Sequence, residues 1–179
     1  MAHIRMENIN LTFFVKQDTG FTLKDFLVGG FFRKHYKPPM QVQALDNLNL
    51  EVHDGQKLGV IGHNGAGKST MMKIITCYIP PSDGRVSVCG HDVMEDSINA
   101  RKCIGYLPEH NPLYTDMYVR EYLTFVGGIH KIPNVKQRVE EMIETVGLTV
   151  EAHKKIETLS KGYRQRVGLA QALLHDPKV

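Results

Sequence analysis

Apolar side chains nearly alternate with polar ones at the start of the chain: Ile4, Met6, Ile9, Leu11, Phe13 and Val15 fall close to a period of two. That period predicts a half-buried strand over 3–15. Over 22–34 the period lengthens, with Leu23, Phe26, Leu27 and Phe31 at helical spacing and Thr22 placed to cap them. A short amphipathic helix is expected there, despite Gly29 and Gly30, until 35–39 breaks it. Two readings stand for this helix: an accessory element packed on its own domain, or a basic, aromatic patch touching a partner or lipid headgroups. Alternation returns at Leu48, Leu50 and Val52, and the turn His53-Asp54-Gly55 leads into the apolar run at 57–61. This predicts a hairpin whose second strand is buried.

Met71, Met72, Ile74 and Ile75 then continue a helix that Pro80-Pro81 should stop, followed by a turn at 82–84 and a strand at 86–89. A short polar helix at 97–101 and a strand at 103–107 come next. Beyond a proline-containing loop at 108–114, helical spacing dominates. One helix is expected over 118–130, and a second carries Val135, Val139, Met142, Ile143 and Val146 on one face, with Asn134 as N-cap and Gly147 near its end. A third opens at Ser160 and sets Val167, Ala170, Leu173 and Leu174 on one side; Asp176-Pro177 ends it, and Lys178-Val179 resembles the start of a strand.

Composition narrows this little. The 179 residues, 42% of them apolar, suit one globular domain or part of one. No run approaches the ~18 apolar residues needed to span a bilayer, and the first residues lack the basic-then-apolar order of a signal sequence, so a cytoplasmic protein is expected. The net charge of +3 is too slight for a nucleic-acid surface. Lys24, Arg33, Lys34 and Lys37 against Asp25 account for all of it, so the remainder of the chain is neutral overall. Cys77, Cys89 and Cys103 show no metal-binding or disulfide spacing and read as reduced, partly buried thiols.

The chemistry concentrates at 62–70, GHNGAGKST. Gly62, Gly67, Lys68 and Ser69 occupy the fixed positions of a phosphate-binding loop between a strand and a helix, with Asn64, Gly65, Ala66 and Thr70 completing it. Glycines let the backbone turn through positive φ and converge several N–H groups on one anion. Lys68 adds a mobile charge for the β- and γ-phosphates, and the Ser69 hydroxyl is a hard ligand suited to Mg²⁺. The plainer reading is a Gly-rich turn before an ordinary helix. Ser160, with Gly162 in the first turn behind it, offers a second helix N-terminus to an anion, or a capped helix and nothing more.

Taken with LSKGYRQRVGLAQALL at 159–174 and IGYLPEHNPLY at 104–114, the loop makes the chain resemble, over essentially its whole length, the ATP-binding subunit of an ABC transporter. In detail, 21–73 is similar to polysaccharide and O-antigen exporters, and the part from Ile74 onward to gliding-motility-associated and related ABC-2 exporters. The resemblance implies a P-loop NTPase of α/β class. A β subdomain would come from 1–60 and 84–95, a nucleotide core from 56–83 and 103–107, a helical subdomain from 110–160, and a signature helix from 160–175. It implies that residues 62–70 bind ATP with Mg²⁺, and that Ser160, Lys161, Gly162 and Tyr163 contact the γ-phosphate of ATP held by a second, identical subunit.

Partners would be transmembrane permease subunits on the inner face of the cell membrane, reached through the loop at 109–114, and no nucleic acid. Two positions depart from the family: Lys161 and Tyr163 stand in a signature usually written LSGGQ, and Glu109 stands where the family has Gln. Glu109 could still reach Mg²⁺ or the attacking water, while adding negative charge beside the γ-phosphate. The adenine-stacking aromatic aligns with Phe13, or else Tyr36. The family's Mg²⁺-holding Asp, catalytic Glu and sensing His have no counterpart up to Val179, which implies a domain cut before them, able to bind nucleotide without efficient turnover. Rival readings are a soluble ABC-type ATPase uncoupled from transport and a nucleotide-binding fragment.

Overall fold

The computed structural model describes residues 2–15 and 39–179; the expected helix at 22–34, its Thr22 cap and Tyr36 lie outside them. Strand β1 (Ala2–Val15) pairs antiparallel with β2 (Met40–His53) on one side and β3 (Asp83–Val88) on the other, and β4 (His91–Asp92) pairs with β3, giving the order β2-β1-β3-β4. Met6 stands opposite Leu50 and Val86, and Ile4 opposite Val52 and Val88.

The sequence skips three residues, not two, from Met6 to Ile9, yet both are buried. A slip in register at that point reconciles them: Asn8 and, across from it on β2, Asn47 take positive φ, 51° and 45°. Asparagine tolerates that backbone better than most residues, and here the side chains serve the bulge as well. Asn8 N–H donates to Asn49 Oδ1 at 2.8 Å and Asn47 N–H to Asn10 Oδ1 at 2.9 Å. Gly84 passes over the same bulge with φ +93°, where a Cβ would stand 2.5 Å from the carbonyl oxygens of Glu7 and Asn8.

Against the buried face of this sheet lies α1 (Lys68–Ile75), which contributes Met71, Ile74 and Ile75; α2 (Ser97–Lys102) adds Ala100. Helix α1 ends well before Pro80-Pro81. Cys77 takes φ 57°, its N–H donates to Ile74 O, and Tyr78 N–H donates to Lys73 O, the paired bonds of a left-handed C-cap.

A second apolar core is helical. In it α3 (Val119–Ile129), α4 (Val135–Thr145) and α5 (Lys161–Leu173) bury Leu123, Val126, Val139, Met142, Ile143, Val167 and Ala170. Asn134 does precede α4, but in a left-handed conformation and without a side-chain capping bond, so the expected cap is positional only.

Two expected strands are not formed. Residues 57–61 pair with nothing among the described residues, and Leu58, Val60 and Ile61 are 47%, 43% and 97% exposed. The predicted hairpin is therefore absent; β2 spends its hydrogen bonds on β1 instead. A fully apolar strand is stable only between hydrogen-bonded neighbours with both faces covered, and no described strand supplies them. The strand at 103–107 is reduced to one parallel pair: Val179 N–H donates to Cys103 O at 2.9 Å and Gly105 N–H to Val179 O at 2.7 Å.

His175, at the end of α5, joins the two cores. Its Nε2 lies 3.1 Å from Ile104 O, so this nitrogen carries the donated proton and Nδ1 is bare, while its ring stacks on His130 with centroids 4.2 Å apart and planes 10° from parallel. Burial holds both imidazoles below their ordinary pKa; for His130 the neighbouring His175 adds to this, and for His175 the Ile104 bond and Asp176 oppose it.

Two outcomes are expected. Gly84→Ala should lower the unfolding free energy by about 2 kcal/mol through overpacking at the bulge, read by urea denaturation. Because both histidine pKa values are lowered on folding, the unfolded chain binds more protons, so their contribution is present above about pH 6.5 and lost as pH falls below it. The melting temperature should drop between about pH 7.5 and 5.5, and drop less in His130→Gln; equal slopes would show that the pair does not titrate with folding.

Candidate functional site

The loop at 62–70 has the backbone that its glycines predict. Gly65 and Gly67 both sit at φ +85°. Gly67 is also the N-cap of α1, and a Cβ there would stand 2.7 Å from Leu45 Cδ2 and 2.9 Å from Ala44 O. A side chain is excluded twice over, by conformation and by the approach of β2. The first main-chain bond of the helix runs from Met71 N–H to Gly67 O at 2.8 Å, so among the described residues the N–H groups of Gly67, Lys68, Ser69 and Thr70 have no backbone acceptor. The first turn carries no acidic side chain either. The result is a positive helix end with convergent free donors, which suits a phosphate. Lys68 Nζ folds over the loop and donates to Gly62 O and His63 O, each at 2.8 Å. It is thereby held at the mouth of the same loop, and the Ser69 side chain is exposed beside it.

Phe13 lies on β1 opposite Val42 and is 42% exposed. That disposes of a buried-core role for it. Two residues earlier, Leu11 pairs with Leu45, the residue that Gly67 touches, so Phe13 stands at the sheet end nearest the loop.

The second predicted group gathers on α5. Ser160 is its N-cap, and Ser160 Oγ accepts from Tyr163 N–H at 3.4 Å; Ser160, Lys161, Gly162 and Tyr163 are all exposed. Glu109 reaches this helix through its backbone: Gln165 Nε2 donates to Glu109 O at 3.2 Å. The Glu109 carboxylate is exposed and makes no ion pair among the described residues.

Three further residues, not singled out by sequence reasoning, shape this group. A Cβ on Gly168 would overlap the Asn111 amide and lie 2.8 Å from Leu107 Cδ1, so the missing side chain lets the 107–111 loop lie directly on α5. Asn111 Nδ2 is buried there without an acceptor. Arg166 donates to Val146 O and Gly147 O and stacks over the Tyr163 ring at 5.4 Å, tying the start of α5 to the end of α4. A glycine in mid-helix was the available signal for the first of these.

The structure thus brings Glu109 to α5 but joins neither to the phosphate loop: no hydrogen bond or ion pair among the described residues links 62–70 to Glu109 or to 160–163. No group of three or more His, Cys, Asp and Glu side chains among the described residues is arranged to hold a metal ion. A concavity of about 1060 Å³ runs along α3 between Met117, Phe125, Ile129 and His153 and contains none of the residues of the 62–70 loop. No described helix is long and apolar enough to cross a membrane.

Comparison with known proteins agrees with this geometry. The chain is 37% identical over 138 residues to the uncharacterized ABC transporter ATP-binding protein YxlF of Bacillus subtilis, covering 76% of this chain and 45% of the relative. It is 39% identical over 144 residues to the methionine import ATP-binding protein MetN of Geobacillus kaustophilus, covering 77% and 42%. It therefore spans less than half the length of these curated relatives. Among solved structures, the dimeric MJ0796 cassette superposes with a TM-score of 0.75 at 24% identity, over 97% of this chain and 70% of that one. The structure of cbiO1 from Clostridium perfringens, described as part of the ABC transporter complex cbiONQ, superposes at 0.72 and 21% identity, over 98% and 62%. Both likenesses bear on the fold, which is that of an ABC-type ATPase cassette. The family model for ABC transporters matches residues 45–179, and the chain belongs to that family as its ATP-binding domain.

Proposed function

We propose that the chain binds ATP with Mg²⁺ at 62–70 and offers 160–163 to ATP held by a second copy, and that the whole protein uses the closure and hydrolysis to drive export through transmembrane permease subunits. The observation that carries this is the free-donor end of α1 behind two left-handed glycines, with Lys68 folded over it. Backbone N–H groups of 67–70 would take the phosphate oxygens, and Lys68 would exchange two carbonyl contacts for the β- and γ-phosphates. The Ser69 hydroxyl would hold Mg²⁺, and the Glu109 carboxylate would join it if its loop moved up to the phosphates; the ion would supply charge neutralisation there. Phe13 would take the adenine ring, a reading supported by its exposure on β1.

In this reading residues 1–60 and 84–95 are the β subdomain, 56–83 and 103–107 the nucleotide core, 110–160 the helical subdomain and 160–175 the signature helix. Export in preference to import rests on the resemblance of 159–166 to the ABC-2 branch, and it places the protein at the cytoplasmic membrane face. Turnover would need an Asp and a Glu of the family's kind beside the phosphates.

Titration with a fluorescent ATP analogue tests the binding site. Lys68→Ala should weaken binding at least about tenfold, the cost of a charge-assisted contact; equal affinities would remove the assignment. Gly168→Ala should instead leave nucleotide affinity within about twofold, while displacing the 107–111 loop by overpacking. In the full-length transporter it should lower turnover more than it lowers ATP binding.

A further inference from the structure

Helix α4 ends in a left-handed C-cap. Gly147 turns to φ +68°, its N–H donates to Glu144 O at 3.0 Å, and Leu148 N–H reaches back to Ile143 O at 2.8 Å. Leu148 is fully buried in the helical core, so this end of α4 is fixed. The carbonyls of Val146 and Gly147 are left over at the negative end of the helix. Arg166 Nη1 donates to both, at 3.4 and 3.2 Å. It comes this close because Gly147 has no side chain; a Cβ there would stand 2.9 Å from the same nitrogen.

On α5, Arg166 lies three residues beyond Tyr163, the spacing that sets two side chains next to each other on a helix surface. Its Cζ lies 5.4 Å from the centroid of the Tyr163 ring. A planar cation is needed for both contacts at once: the edge of a guanidinium donates to carbonyls while its face covers an aromatic ring, whereas an ammonium is a point charge that serves one or the other. Little else holds the ring. Tyr163 is 37% exposed, and its bond to Ser160 Oγ, 3.4 Å long, is made by the backbone N–H.

We propose that Arg166 is a positioning residue for the start of α5: it carries the fixed end of α4 to the Tyr163 ring and holds that ring where it meets the nucleotide of a second copy. This rests on the reading of 160–163 as a nucleotide-facing turn. Arg166 itself does not touch the nucleotide; it acts through the ring, and a ring already in place gives up less freedom when two copies close. A symmetric pair of copies contains the brace twice. An exposed cation–π contact is worth a few-fold in a binding constant, so its loss from both copies multiplies to about tenfold in pairing.

The test is sedimentation velocity of the 179-residue chain over a range of concentrations, with ATP and Mg²⁺, as a double-mutant cycle on Arg166→Lys and Tyr163→Ala. Arg166→Lys should weaken ATP-dependent pairing about tenfold, while the affinity of a single copy for a fluorescent ATP analogue stays within about twofold. In the Tyr163→Ala background the same substitution should change pairing by less than about twofold, because no ring is left to hold. Any loosening between α4 and α5 is common to both backgrounds, so only the part that depends on the ring survives the comparison. Unchanged pairing in Arg166→Lys, or an equal loss in both backgrounds, would overturn the positioning role. No ATP-dependent pairing in the unsubstituted chain, with ATP bound, would instead remove the shared site and this role with it.

Discussion

A phosphate can be held by an uncharged backbone only where several N–H groups face one point, and here that rests on the absence of a side chain at Gly67. The residue must turn to φ +85° to start α1, and it must let Leu45 and Ala44 of β2 come within contact of its Cα. The first requirement frees the helix donors; the second seats the loop on the sheet. The sheet in turn is aligned by the asparagine bulge at 8 and 47, which keeps Met6, Ile9 and Leu11 on the same buried face beneath α1. Loop, helix and sheet are consequently one mechanical unit. A change in the bulge, such as crowding at Gly84, acts on the seat of the loop as well as on stability.

The second unit is the helical core, and polar contacts bridge the two. His175 reaches Ile104, Val179 pairs with Cys103 and Gly105, and Gln165 holds the backbone of Glu109. Titratable groups collect at this joint: His175, stacked on His130, is bonded to Ile104 O. Protonation of either imidazole acts on how the two units are joined, without touching the phosphate loop.

Much of this was legible from residue spacing. The helical core follows from apolar positions three and four apart, and Val139, Met142 and Ile143 are buried as their spacing predicts. The phosphate loop is legible because its glycines have a conformational duty that few other residues can discharge. What misled was the run at 57–61, whose apolar content describes the environment of a central strand but cannot supply the neighbours that make one. The bulge was hidden for a different reason: a three-residue step inside a period of two looks like noise until pairing shows that it is a register shift. Gln165, Gly168 and Asn111 are tertiary facts, since nothing local to α5 says that the 107–111 loop will lie against it.

The central claim is that the phosphate loop and the start of α5 are two halves of a site that one copy does not assemble. The direct measurement is cross-linking between Asn64→Cys in one copy and Lys161→Cys in another, with Cys77, Cys89 and Cys103 replaced by serine. An intermolecular cross-link should form with ATP and Mg²⁺ and vanish when Lys68→Ala is added to the copy carrying Asn64→Cys. A cross-link that forms equally without nucleotide, or none under any condition while ATP is demonstrably bound, would contradict it.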